Sequence, residues 1–257
     1  TDWFPAVSEV DCVIHCAAQM HEYEVDALDA NRVVNVIGSR RLAEQAAAVG
    51  VRRMVYLSSI KVNGERSEPG APFSCMDLPA PKDPYGISKW EAEQALWSVA
   101  EKTHLEIVVV RLPLVYGPSA KGNLARLLRL VALGLPLPFG AVNNRRSLIG
   151  LDNLVDLLGR CISHPAVAHQ TLLISDGEDI STPDLLRYMA IGLGRSAHLF
   201  PLPLPLLRYG GRAFGKHKEI DRLLGSLQID SRRTNELLEW TPIVSVVEGI
   251  RRMAVKS

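Results

Sequence analysis

Over the first half of the chain the apolar positions fall into runs of two kinds that alternate. Residues 11–18 (DCVIHCAA) form a short apolar run ending in small side chains, and residues 26–49 follow as a long amphipathic stretch that stops at Gly50. The first pattern predicts a strand and the second a helix closed by glycine. The pair recurs. Residues 53–58 (RMVYLS) are rich in strand formers, a polar and proline-bearing loop follows, and residues 84–101 predict a helix with Pro84 in its first turn. Residues 106–112 (EIVVVRL) predict a third buried strand. Strands alternating with helices of this length imply right-handed crossovers and a parallel sheet covered on both faces. In such sheets ligands bind beyond the carboxyl ends of the strands.

After Gly117 and Pro118 the elements become shorter and are separated by proline and glycine, the pattern of a smaller α+β lobe. Helices are predicted at 123–132, 153–163, 183–193 and 246–254, the last with Ser245 and Glu248 as a capping box. No internal repeat or low-complexity segment interrupts the chain. The division expected is therefore a nucleotide-binding domain over 1–118 and a mainly substrate-binding lobe over 119–257, with some segments of the latter returning to the former.

Composition narrows the partners. With 257 residues, 47% hydrophobic and 22% charged, the chain is of the ordinary globular class. A formal net charge of +1 offers no broad attraction for nucleic acid or an anionic membrane, so an anion must be held by a few placed cations. The four cysteines lack CxxC spacing and disulfide-scaffold density, which points to free thiols in a reducing cytoplasm. Cys12 and Cys16 flank His15 on an apolar strand pattern and are not read as metal ligands. No signal peptide is evident, and the leucine- and proline-rich stretch 201–207 is too short to span a bilayer. The chain opens at Thr1 and not at methionine, so its start is not expected to be that of the gene product.

Tyr85 and Lys89 (YGISK) lie in the first turns of a predicted helix, where i,i+4 spacing puts phenol and ammonium on one face. Such a pair alone is a weak signal. Ser58 and Ser59 end the preceding strand, and the sheet geometry brings a hydroxyl toward that helix, so a triad of Ser59, Tyr85 and Lys89 becomes plausible. The chemistry asks for these types: an alcohol cannot be oxidised unless its proton leaves as the carbonyl forms, and an ordinary phenol is a poor base at neutral pH. A nearby ammonium favours the phenolate.

Together with 11–18, Asn35-Val-Ile-Gly38, Arg111 to Pro118 (RLPLVYGP) and Arg146 to Asp152 (RSLIGLD), these residues resemble the extended short-chain dehydrogenase/reductase family, in its NAD-dependent epimerase/dehydratase group. The chain is similar there to bacterial UDP-sugar 4-epimerases and UDP-4-keto-sugar reductases of surface-polysaccharide pathways. The resemblance implies a Rossmann-type doubly wound parallel sheet with a smaller α+β substrate lobe. It also implies NAD or NADP as cofactor, NAD being favoured, a UDP-sugar substrate and a homodimer through the helices at 26–49 and 84–101. Ala17, Ala18, Ser58, Leu112 and Pro113 would then approach the cofactor together with Tyr85 and Lys89, Lys89 at the nicotinamide ribose. Asn35 would hold its helix against the active-site strand. Asn123 and Arg146 would contact the nucleotide diphosphate, Arg222 would take a phosphate, and Phe139 would lie against the uracil; a solvated side chain is the alternative for each arginine, which their joint occurrence at family positions disfavours, whereas Phe139 could equally be a core residue.

Two departures qualify the likeness. Ile60 and Lys61 stand where related dehydratases carry an Asp-Glu pair, which argues against water elimination. The family's glycine-rich turn, first helix and cofactor-selecting residue do not precede residues 11–18, so the sheet is expected to lack its first βαβ unit. Lys61 to Gly64 and Leu135 to Leu148 incline the reading slightly to the reductase branch, with the epimerase nearly equal. A non-catalytic dinucleotide-binding regulator and a dehydrogenase of a non-sugar alcohol are the alternatives; the first commonly loses the tyrosine or lysine, and the second would need an apolar cleft in place of Arg146 and Arg222.

Overall fold

In the computed structural model, which describes residues 1–20, 26–68, 70–120 and 122–255, a short helix α1 (Phe4–Val7) leads into β1 (Cys12–His15). The strand is shorter than its apolar run. Its last ladder pair is His15 with Tyr56, and residues 16–18 continue exposed past the sheet. β2 (Arg53–Ser59) and β3 (Glu106–Leu112) fall where the pattern puts them, β2 running one residue further, and their register ends with Ser59 opposite Leu112. β4 (Leu114–Tyr116) and β5 (Leu148–Gly150) pair with each other, while β6 (Thr171–Leu173) joins the main sheet to give the order β1-β2-β3-β6, parallel throughout.

The stretch read as one helix over 26–49 is three pieces: α2 (Ala27–Arg32), a π-helical turn (Val33–Gly38) and α3 (Ser39–Ala48). A 3.6-residue period cannot reveal the widened turn, which carries the fully buried Asn35. α4 (Pro84–Ala100) and α5 (Gly122–Ala132) follow, then α6 (Leu151–Ser163), α7 (Thr182–Gly192), α8 (Leu204–Ala213), α9 (His217–Leu224), α10 (Arg232–Leu238) and α11 (Val246–Val255). α8, α9 and α10 are short and proline- or charge-rich, and the apolar pattern does not announce them. At α11 the expected capping box is half made. Ser245 Oγ accepts from Glu248 N at 3.4 Å, but the Glu248 carboxylate turns to Arg251 and Arg252. The reciprocal box belongs to α7, between Ser181 and Asp184.

Strand alternation sends successive side chains to opposite faces. Met54, Tyr56, Ile107 and Val109 pack with Leu42, Ala46, Ala92 and Leu96 of α3 and α4. Val55, Val108 and Val110 pack on the other face with Leu154 and Leu157 of α6, Leu238 of α10 and Trp240. Both faces are thus covered, and α6 and α10, late in the chain, belong to the sheet. Buried Arg53 fixes α6 there, donating to Glu106 at 2.7 Å and to the carbonyls of Cys161 and His164 at the helix end. A separate cluster, with Leu124, Leu128, Phe139, Leu186 and Met253, forms the core of the second half.

Candidate active site

The parallel register brings the ends of β1, β2 and β3 side by side, so that Ala17 and Ala18, Ser58 and Ser59, and Leu112 and Pro113 line one edge of the sheet. After Ser59 the chain makes a 3₁₀ turn (Ile60–Val62), whose Lys61 N–H is accepted by Ser59 Oγ at 3.2 Å. α4 starts against this turn. Asp83 caps it by accepting from Gly86 N at 2.6 Å, and its other carboxylate oxygen is ion-paired with Lys61. The approach is close enough to demand glycine: a Cβ on Gly86 would lie 2.9 Å from Lys61 O.

Tyr85 is half-buried in the first turn of α4, with Lys61 Nζ 5.7 Å from its ring centroid. One turn on, Lys89 is buried. Its Nζ donates to Leu57 O at 2.6 Å and to Tyr56 Oη at 3.0 Å, and lies 4.2 Å from the centroid of the Tyr56 ring. Burial pulls its pKa from 10.5 down to about 7, against the opposing pull of Glu93 and Cys16. The Tyr56 phenol, buried and near Tyr85 and Glu93, is held well above the usual range, and it is hydrogen-bonded to Ser39. Ser39 Oγ meets His15 Nε2 at 2.8 Å, and burial with the Lys89 charge depresses His15 to about 4. His15 is therefore neutral at physiological pH and can accept at the end of a chain running from Lys89 through Tyr56 and Ser39.

Asn35 is fully engaged. It bonds the backbone of Gln19 in both directions at 2.8 Å and donates to Ser88 Oγ at 2.9 Å, tying the segment beyond β1 to α4. Ser58 donates to Glu93 at 2.5 Å, so its hydroxyl faces the protein interior; Ser59, of opposite parity, stays half-buried beside the turn. Glu93 in turn receives two bonds from Arg111 at 2.7 and 3.1 Å, and Arg111 reaches Asn63 at 2.9 Å. Sequence reasoning missed this buried network. Its signal was a charged residue inside an otherwise apolar strand, together with Glu93 continuing the Tyr85–Lys89 stripe at the same spacing.

The other candidates lie in the second half. Arg146 stands between Ile180 and Leu227 in backbone pairing, and its Nη1 donates to Arg222 O at 2.7 Å and Gly225 O at 3.1 Å, at the end of α9. Burial, then the Arg222 and Arg66 charges, lower it to about 10, so it remains a cation. Arg222 is half-buried on α9. Asn123 is half-buried in the first turn of α5. Phe139 is 5% exposed and belongs to the second-half core. The segment joining the two groups is 227–229: Leu227 and Ile229 pack on Ile60 after β2, while Leu227 N donates to Arg145 O and Ser147 N to Leu227 O, each at 2.9 Å.

Residues 1–174 match the model of the NAD dependent epimerase/dehydratase family. The chain belongs to that family. Among curated relatives it is 43% identical over 258 residues to a UDP-glucose 4-epimerase of Vibrio cholerae, covering 99% of this chain and 79% of that protein. It is 27% identical over 217 residues to an N-acetyl-α-D-glucosaminyl-diphospho-ditrans,octacis-undecaprenol 4-epimerase of Escherichia coli O157:H7, covering 81% of this chain and 62% of the other. Among solved structures, the UDP-glucuronic acid 4-epimerase of Bacillus cereus in complex with NAD superposes with a TM-score of 0.81 at 21% identity, over 100% of this chain and 75% of that one. The last likeness fixes the fold as the Rossmann type that the family uses. No helix among the described residues is long and apolar enough to cross a membrane.

Proposed function

We propose that this family member catalyses NAD-dependent oxidoreduction at C4 of a UDP-sugar, by epimerisation through a 4-keto intermediate, in the cytoplasm and for surface-polysaccharide synthesis. The observation that carries the reading is the 43% identity, over almost the whole chain, to a UDP-glucose 4-epimerase. It moves the balance from the reductase branch, which the sequence slightly favours, to the epimerase.

The nicotinamide end of the cofactor suits the residues present. Small, exposed Ala17 and Ala18 allow a flat group close to the backbone, Leu112 and Pro113 offer an apolar wall, and Lys89 has one N–H beyond the two already bonded. When bound, NAD supplies the two-electron acceptor. Tyr85 takes the proton of the C4 hydroxyl and later returns it, Ser59 hydrogen-bonds the reacting oxygen, and Lys89 lowers the cost of the phenolate beside it. Arg146 and Arg222 hold the diphosphate through charge-assisted bonds, with Asn123 beside them. Because the Phe139 ring is enclosed, its part in uracil binding is confined to shaping the pocket wall.

A homodimer through α2, the π turn and α4 is also inferred. Val33 and Ile37 are each 61% exposed on that surface, an apolar stripe that a second copy of the chain would cover. The test of the whole reading is incubation with UDP-glucose and NAD. Appearance of UDP-galactose without net NADH is expected. Stoichiometric NADH accumulation would return the assignment to the dehydrogenase branch, and no turnover of any UDP-sugar would end it.

A further inference from the structure

Arg66 takes no part in the site as described, yet two loops distant in sequence bring it to the same residue, Gly225, as Arg146. The loop carrying it is pinned to segment 226–228: Ser67 N donates to Ser226 O at 3.1 Å, and Gln228 N to Ser67 Oγ at 2.9 Å. On its other side that segment pairs with residues 145–147. Both guanidiniums therefore converge on Gly225. Arg146 Nη1 donates to its carbonyl at 3.1 Å, and a Cβ built on Gly225 would lie 3.3 Å from Arg66 Nε.

The charges are close enough to oppose one another, Arg222 and then Arg66 both disfavouring the charged form of Arg146. Among the described residues no carboxylate pairs with Arg146, whose bonds go to the carbonyls of Arg222 and Gly225. Among the described residues Arg66 pairs with the Asp221 carboxylate at 3.4 Å, which Arg208 shares at 3.7 Å. That ion pair is long and solvent-exposed, the kind that contributes little and is readily exchanged. A bridging anion with several oxygens relieves the repulsion and replaces Asp221 at small cost.

We infer that Arg66 is a third cation for the nucleotide diphosphate, exchanging Asp221 for a phosphate oxygen when the UDP-sugar binds. The inference rests on the UDP-sugar reading. It adds that the diphosphate is gripped from both halves of the molecule, by Arg66 from the loop after β2 and by Arg146 from the segment before β5. Guanidinium suits this position because it keeps its charge and can bridge two oxygens.

Calorimetric titration of UDP and UMP into the unaltered protein, Arg66→Gln and Asp221→Asn tests it. Arg66→Gln should weaken UDP by roughly tenfold, the size of one charge-assisted hydrogen bond, and UMP by less. Asp221→Asn should tighten UDP a fewfold, because the competing carboxylate is gone while Arg66 stays. Binding of UDP to Arg66→Gln within twofold of the unaltered protein overturns the inference and leaves the UDP-sugar reading intact. If Arg66→Gln does not fold, unchanged or weaker binding by Asp221→Asn overturns it. No UDP binding by the unaltered protein at millimolar ligand overturns both.

Discussion

Lys89 and Arg146 are both cations drawn into the protein, and they respond in opposite ways. Lys89 is enclosed by neutral acceptors, the Leu57 carbonyl and the Tyr56 hydroxyl, and burial brings it to about 7, where its charge can be adjusted. Arg146 sits among carbonyls and other guanidiniums, yet at about 10 it keeps its charge at any physiological pH. A group that tunes a proton transfer benefits from a pKa near the working pH, whereas one that holds phosphate benefits from a charge that does not titrate. Under the proposed roles, each half of the site uses the amino acid suited to its task.

Tyr85→Phe separates the halves most sharply. Loss of a positioned acid/base costs about 10²- to 10⁴-fold in rate, while UDP affinity, which the proposal assigns to the arginines, should stay within twofold; retention of more than half of the unaltered kcat would remove Tyr85 from the chemistry. Glu93→Ala probes the scaffold under Lys89. It leaves Arg111, 4% exposed, without its carboxylate, and breaking a buried pair costs about 3–5 kcal/mol, a loss that urea denaturation would register.

On the binding side, Arg222→Ala should weaken UDP and UDP-sugar in parallel by roughly 10- to 100-fold, with kcat at saturation little changed. It is a cleaner probe than Arg146→Ala, because the Arg146 guanidinium also holds the end of α9 and its loss will lower stability as well. An affinity loss for the sugar nucleotide but not for UDP would show that Arg222 touches the sugar.

A pH dependence of stability addresses the Lys89 side of the comparison directly. Lys89 has a folded-state pKa near 7 against 10.5 as the ordinary value, so between those pH values the unfolded chain binds more protons. The Tm of the unliganded protein should therefore gain a rising contribution from about pH 7 toward pH 10. Lys89→Met should flatten that contribution. A slope unchanged by the substitution would mean that Lys89 is not desolvated.

How much could be read beforehand differs by element. The unbroken apolar run placed β3 to the residue, because a strand buried on both faces is apolar throughout, and Pro84 in a first turn helped place α4 to within one. β1 stopped short of its run: its ladder with β2 ends at His15 opposite Tyr56, although β2 itself continues to Ser59. The interruption of 26–49 was hidden because the π turn around Asn35 is stabilised by Gln19 and Ser88, neither adjacent in sequence. Tyr85 and Lys89 were legible from spacing within one helix. Tyr56, Ser39 and His15 were not, since each lies on a different element and only packing joins them.

Sequence alone thus determined the periodicities, the residue types of the Ser59, Tyr85 and Lys89 set, and a parallel sheet covered on both faces, all of which depend on local spacing and side-chain chemistry. Only the tertiary structure decided where the charges act: that Ser58 faces Glu93, that Phe139 is enclosed, that Lys89 is desolvated over Tyr56, and that Arg66 meets Arg146 at Gly225. Desolvation and charge–charge distance are properties of groups brought together by the fold, and no single segment carries them.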